Sequence, residues 1–447
     1  MQERAVYSSK ACGKQRQVLR PAIAAGSTLI RPNGSYIWRA MDEPQVKEEG
    51  MDMILVAGTG PVGLAAALAL ADLGCDVILA GPPPSSIDRR TTALMRPAIA
   101  FLEELGFAET LAEIAAPLST MRIVDGTNRL IRSPAVTFRA AEIGEDYFGL
   151  NIPNAALNKA LSDAVRERRN IRWHEEIVTA WRTDSDYVEA VLADGTAIRA
   201  SLAVAGDGRN SPAREAAGIR TKRRELNQSA LVLNFAHARH HGFSSTEFHT
   251  EHGPCTQVPL PGGFRSSLVW VMRPKQAEEM MALDDRALSE RIEERQQSFL
   301  GEVTVESGRQ VFPLVSALPT RFAAHRIALV GEAAHVFPPI TAQGLNLGLR
   351  DVADLVEMVR KHPDDPGSSL ALASYEARRR PDIVARSSAV NLINASLLSD
   401  LLPAQLLRSA GLSLLGGIPA LRGFFMREGM QPGSGFAALL PRLPRRA

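Results

Sequence analysis

Three short blocks of the 447-residue chain hold groups whose types and spacing point to chemistry. In the first, Gly58-Thr59-Gly60-Pro61-Val62-Gly63, the apolar run from Met51 to Ala57 delivers three glycines to an Ala- and Leu-rich stretch that ends at Leu73. Gly58 suits a tight turn, Gly60 lets backbone approach a pyrophosphate, and Gly63 lets a helix pack closely on a strand. Unpaired N–H groups at that helix start would attract phosphate. Close packing without a ligand uses the same glycines, so context must decide between the two.

The second block is Ala205-Gly206-Asp207-Gly208-Arg209-Asn210-Ser211, which sets a carboxylate on a glycine turn at the end of an apolar strand. Strand ends are where doubly wound sheets bind ligands. The third runs from Ile327 through Gly331-Glu332-Ala333-Ala334-His335 to Pro338-Pro339, then Gln343-Gly344-Leu345-Asn346-Leu347-Gly348. Here a strand delivers Glu332, a proline-stiffened loop follows, and Gly344 and Asn346 open a helix. An acid so placed suits a polyhydroxy chain, and helix-start N–H groups stabilise developing negative charge. His335 reads as a hydrogen-bonded structural histidine. In Asp88-Arg89-Arg90-Thr91-Thr92-Ala93-Leu94, Arg90 reads either as a planar donor to a phosphate or as part of a solvated basic loop.

One expected group is missing. The second strand, Val77 to Ala80, runs into Gly81-Pro82-Pro83-Pro84 where a ribose-binding acid usually stands. Cys12, Cys75 and Cys255 are scattered, and only Cys255 has histidines nearby, at His249 and His252, so no metal site is expected. No catalytic acid or base can be named from the residues.

The elements that must hold these blocks follow from periodicity. Helical spacing covers 61–73, 96–105, 154–168, 284–299, 348–360 and 370–380, and 178–200 alternates as a hairpin around Asp194-Gly195. The stretch 230–272 reads mostly as strand. The fold class is α/β: a Rossmann-like nucleotide-binding domain (51–225 and 310–390) is interrupted by a β-rich substrate domain (226–309, with part of 120–150). A helical segment (391–430) and a basic tail (431–447) follow.

With 51 Lys and Arg against 49 Asp and Glu, the net charge of +2 argues against nucleic acid as a partner. No apolar run is long enough to span a membrane. Residues 1–50 carry seven arginines and lysines ahead of Asp42 against the single acid Glu3; they read as a disordered arm, an upstream extension or a transit peptide.

Taken in order, the three blocks resemble the single-component flavin aromatic hydroxylases of the p-hydroxybenzoate hydroxylase fold, over roughly residues 51–430. Within that family the chain is most similar to the UbiH-type ubiquinone-biosynthesis hydroxylases. The stretches that carry this are Asp88 to Leu94, Asn227-Gln228-Ser229-Ala230-Leu231 with His237, Gly253-Pro254 through Pro261, Ser266-Ser267-Leu268-Val269-Trp270, Tyr375-Glu376-Ala377-Arg378-Arg379, and Gly411-Leu412 to Pro419. The resemblance implies FAD held by Gly58, Gly60, Gly63, Arg90, Asp207, Glu332, Gly344 and Asn346. It implies NAD(P)H as transient reductant, O2 as co-substrate, and a prenylated phenol as acceptor of one oxygen atom. Glu332 stands where the family usually has Asp, and Thr341-Ala342 replaces a Gly-containing pair. Other quinone-biosynthesis proteins and a membrane surface are implied partners, the latter through the Leu- and Ile-rich stretch 391–425 with Arg408, Arg422 and Arg427. The implied location is cytoplasmic, at the inner-membrane surface, or the mitochondrial matrix if 1–50 is a transit peptide. Two other functions remain open: a flavoprotein that hydroxylates a small soluble aromatic or reduces a prenyl chain, and a non-catalytic accessory subunit.

Overall fold

Val, Ile, Leu and Ala fill four short runs with no charge between them, a composition that suits strands buried on both faces. The computed structural model describes residues 28–30, 36–38, 53–127, 133–250, 253–338, 343–398, 410, 413–415 and 417–430. Strand β1 (Ile54–Ala57) leads into helix α1 (Pro61–Asp72) and returns as β2 (Val77–Ala80), parallel to β1. Pro61 starts the helix, and Gly74, with φ +92°, ends it. Residues 63–71 of α1 are all buried, so this helix lies inside the domain. Strand β3 (Thr91–Met95) leaves this sheet and pairs with Gly149–Pro153. Strand β4 (Ile171–His174) then adds beside β2, and β5 (Leu202–Ala205) beside β1.

Between β4 and β5 the predicted hairpin is a three-stranded meander, Val178–Thr183, Val188–Leu192 and Ala197–Ala200, with the Asp194-Gly195 turn joining the last two. A second turn at 184–187 breaks what reads in sequence as one long strand.

Strand β6 (Thr221–His237) is 17 residues long and is the spine of a second, eight-stranded sheet. It pairs with β7 (Arg265–Met272) on one side and with Gln310–Pro319 on the other, shifting register between Glu225 and Ser229. Thr120–Asp125 and Val136–Arg139 join its far edge. Leu231, Leu233 and Phe235 point to one face, where Leu288 and Ile292 of the helix Asp285–Arg295 cover them. Ala230 and Val232 point to the other face, with Val271 and Leu314.

The chain then returns to the first sheet. Strand β8 (Ile327–Leu329) pairs parallel to β5, giving the order β4-β2-β1-β5-β8, with Ala323–Ala324 at the edge. Helix α2 (Gln343–Lys361) starts five residues before the predicted point, and α3 (Ser369–Leu398) continues well past Arg380 despite Pro381. Among the described residues no helix is long and apolar enough to cross a membrane. Residues 1–45 form a unit of their own, in which Thr28–Ile30 and Tyr36–Trp38 pair antiparallel, two strands the composition did not predict. Thr341, Ala342, the stretch 399–409 with Arg408, and the basic tail lie outside the described residues.

Candidate functional site

Three chain segments far apart in sequence meet at the carboxyl ends of β1, β5 and β8. The glycines make this meeting close. A Cβ on Gly63 would lie 1.9 Å from the Gly58 carbonyl oxygen, and one on Gly58, which has φ +107°, would lie 2.3 Å from that of Gly206. Gly60 differs: a Cβ there would meet nothing within 4 Å. Gly60 is also the N-cap of α1, which has no side-chain cap and no acid in its first turn. Its free N–H groups therefore face open space beside a helix start, the setting that favours a phosphate.

Asp207 stands across this space at the end of β5. Its Oδ2 accepts the Ala213 N–H at 3.1 Å, while its Oδ1 is buried with no hydrogen-bond partner. Burial pushes the Asp207 carboxyl above its ordinary range, only partly offset by Ser211, Ala213 and Arg214. A neighbouring hydroxyl donor would satisfy the orphaned oxygen. The turn that carries Asp207 is held by Arg214, a residue the sequence reading left unassigned. Arg214 is buried and donates to the carbonyls of Ala333 and Arg209, each at 3.0 Å, tying this turn to the loop after β8.

On that loop Glu332 is half exposed, and Arg209 donates to it at 3.3 Å. Arg90 is likewise committed: its Nε and Nη2 grip the Asp88 carboxylate at 2.9 and 2.7 Å, and its guanidinium lies over the Phe312 ring at 5.7 Å. Burial pushes the Asp88 carboxyl up, but the Arg90 bonds outweigh this and hold it below its usual range. The Arg90 side chain is 45% exposed, so the loop is part solvated, but its guanidinium is not free: it pairs with Asp88, which Asn154 Nδ2 also reaches at 3.4 Å. Gly344 is exposed, with open space where a Cβ would stand. Asn346 clamps β3: its Oδ1 accepts the Met95 N–H and its Nδ2 donates to the Ala93 carbonyl, both at 2.8 Å.

Behind the loop lies a charged network that sequence reasoning missed. Asp351, fully buried on α2, accepts the Gly331 N–H at 2.9 Å and pairs with His335 Nε2 at 2.8 Å. Its other oxygen takes Arg379 Nε at 2.8 Å, and Arg379 Nη1 reaches Asp354 and Asp382. His335 is therefore a structural histidine, 2% exposed. Tyr375 closes the network by donating to the Leu329 carbonyl at 2.7 Å.

Gly81, in place of the usual acid, has φ +145°, and a Cβ there would lie 3.0 Å from Thr59 Cγ2. Trp173 Nε1 donates to its carbonyl at 2.9 Å. The backbone itself disfavours a side chain at this point, so a ribose would be held by other groups.

The residues fit a dinucleotide carrying a polyhydroxy chain: open space at Gly60 for a pyrophosphate, and an orphaned acceptor on Asp207 for a hydroxyl. One consequence concerns pH. Asp207 is costly when ionised in the ligand-free protein, so Asp207→Asn apoprotein is expected to melt no lower than wild-type apoprotein at neutral pH. Because the folded-state pKa is raised, the wild type gains relative to the variant as pH falls through that pKa. Melting curves of the two apoproteins between neutral and mildly acidic pH check this; a gap that favours the wild type throughout would refute it.

Residues 52–387 match the family model described as FAD binding domain. The chain is 33% identical over 402 residues to a ubiquinone hydroxylase, UbiL, of Rhodospirillum rubrum, covering 88% of this chain and 91% of that protein. It is 29% identical to the 3-demethoxyubiquinol 3-hydroxylase of Escherichia coli, over 80% of this chain and 93% of that one. Among solved structures, the p-nitrophenol 4-monooxygenase PnpA of Pseudomonas putida superposes with a TM-score of 0.69 at 21% identity, covering 88% of this chain and 99% of that one, a likeness of fold.

Proposed function

Because this chain belongs to the FAD binding domain family, as a relative of the UbiH-type flavin hydroxylases, we propose that it is an FAD-dependent monooxygenase hydroxylating the ring of a prenylated phenol in ubiquinone biosynthesis. The observation that carries this reading is the likeness to ubiquinone hydroxylases along nearly the whole chain. When bound, FAD supplies the redox chemistry, taking electrons from NAD(P)H and activating O2.

The chain's own residues do the rest. The α1 N-terminus and Gly60 would receive the pyrophosphate, and Asp207 Oδ1 would take a hydroxyl of the cofactor. Glu332, held by Arg209 only through an exposed ion pair worth at most about 1 kcal/mol, would be available to the polyhydroxy chain. Arg90, neutralised and anchored by Asp88, borders the same side. Asn346 and Asp351 fix the two walls, β3 and the loop after β8, that must hold a flavin ring in register. The substrate's tail needs an apolar route, and we assign the C-terminal helix Pro419–Met430 to a lipid surface: Leu414, Ile418 and Phe425 beside and on it are each more than 40% exposed.

The purified protein is expected to be yellow, to bleach with NAD(P)H under anaerobic conditions, and to form a hydroxylated prenylphenol when O2 is admitted. The same protein should float with anionic vesicles. Bleaching without product would point to another acceptor, such as a small soluble aromatic or a prenyl double bond. A second reading, an accessory subunit, is favoured by one observation: Arg90 and Glu332 are both paired within the chain. Protein that copurifies with partners and takes up no FAD would establish it instead.

A further inference from the structure

Strand β6 alternates with few exceptions. Leu231, Leu233 and Phe235 face the helix Asp285–Arg295, so Ala230, Val232 and Asn234 share the opposite face. That face is apolar for most of its length, through Val232, Val271 and Leu314, and Phe312 on it carries the Arg90 guanidinium. Asn234 interrupts it. Its Oδ1 is buried and has no hydrogen-bond partner. Directly opposite on β7 stands Ser267, fully buried, whose Oγ also has none.

An orphaned buried acceptor costs roughly 1–3 kcal/mol, and the Ser267 hydroxyl, itself able to donate, makes no bond to Asn234, so Oδ1 calls for a donor from elsewhere. Asn234 lines a cleft of about 220 Å³ together with Leu260, Pro261, Pro153, Asp88 and Arg89. A cavity of roughly 150 Å³ already admits a benzene ring, so the cleft has room for one substituted ring and none for a long chain. Its charges are largely spent: Arg90 neutralises Asp88, and Arg265 at the rim grips Glu306 at 2.6 and 2.7 Å. Beside these pairs the lining holds the neutral Asn234, the apolar Pro153, Ala155, Leu260 and Pro261, the Ser86 hydroxyl, and Arg89, whose stem lies against Gly308.

We propose that this cleft is the aromatic-ring site and that Asn234 orients the substrate by accepting a hydrogen bond from its phenolic hydroxyl. The assignment rests on the functional reading above and adds to it the residue that recognises the phenol. A neutral amide acceptor favours the protonated phenol and fixes the rotation of the ring, so that one ring carbon is presented to the cofactor. The prenyl chain leaves by the open side of the cleft.

The test uses the FAD-loaded protein and two probes, a phenol carrying one short prenyl group at the carbon beside its hydroxyl, and the methyl ether of that phenol. Titration by calorimetry is expected to show the phenol binding about fivefold to tenfold more tightly, the worth of one hydrogen bond. Asn234→Ala should erase that preference while leaving the affinity for the ether and the flavin content unchanged. Asn234→Asp, which keeps an acceptor oxygen, should retain the preference. Should Asn234→Ala fail to fold, the wild-type side-chain amide resonances of Asn234, assigned by their loss in Asn234→Asp, are expected to shift with the phenol and stay still with the ether. Equal binding of the two probes, binding of neither, or a preference that survives Asn234→Ala overturns the proposal. Preferential phenol binding with no hydroxylated product would instead sink the monooxygenase reading and leave the cleft assignment intact.

Discussion

Replacing Gly60 by Ala is expected to give a folded protein that has lost much of its yellow colour, whereas the same change at Gly58 or Gly63 is expected to destabilise the fold itself. At Gly60 the added methyl meets no protein atom within 4 Å, and the apoprotein should lose under about 1 kcal/mol, the scale of an N-cap change. The methyl enters the space proposed above for the pyrophosphate. Crowding of about 1–3 kcal/mol there translates into roughly fivefold to 150-fold weaker FAD binding. At Gly58 a positive φ and a 2.3 Å clash with the Gly206 carbonyl add together, and at Gly63 the clash is with Gly58 itself. Both variants should lose about 2–5 kcal/mol in denaturant titrations whether or not FAD is present. The measurement is flavin content beside apoprotein stability for all three; a Gly60→Ala protein that stays fully loaded would remove the pyrophosphate from this site.

Arg379→Met should destabilise the protein as strongly by a different route. Arg379 is 1% exposed and sits among Asp351, Asp354 and Asp382, so its removal strands a carboxylate with no exposure of its own. Breaking one partner out of such a buried group typically costs about 3–5 kcal/mol. The damage travels to the cofactor side because Asp351 also holds the Gly331 N–H and His335. Urea titration should show the loss, and flavin retention should fall in the protein that still folds. Asp382, drawn down to about 2 by Arg386, Arg350 and Arg379 against the opposing effect of its burial, adds a pH signature. Its contribution is complete above the ordinary carboxylate range and is lost only as pH falls toward 2. If Arg379→Met unfolds at the wild-type urea midpoint, the network is ornamental.

What could be read without the structure was whatever depends on neighbours in the chain. Gly58, Gly60 and Gly63 declare themselves because a strand, a turn and a helix must follow within a few residues, and the runs that form β1, β2, β5 and β8 carry no charge. Asp207 was visible for the same reason. Arg214, Asp351 and Arg379 were not, since a charged residue on an amphipathic helix looks solvated until its distant partner is known. Arg90 was left open between two readings, and the structure gave a third, a pair with Asp88 stacked on Phe312. Asn234 was hidden in an alternating strand, where a polar residue normally marks the wet face. The Gly81 position illustrates the reverse: a missing acid in the sequence is, in three dimensions, a backbone shape that disfavours one.

The order of the central sheet has a consequence for how the protein is made. During translation β1, α1, β2, β4 and β5 emerge first, yet the strand that flanks β5, β8, follows only after the whole eight-stranded sheet has been synthesised. Until then the apolar edge of β5 is unpaired, and Asp207 has no wall opposite it. The nascent chain therefore cannot hold its dinucleotide before roughly its first three quarters have left the ribosome. The supply of FAD at that moment, rather than earlier, governs how much chain reaches the native state and how much is lost to proteases.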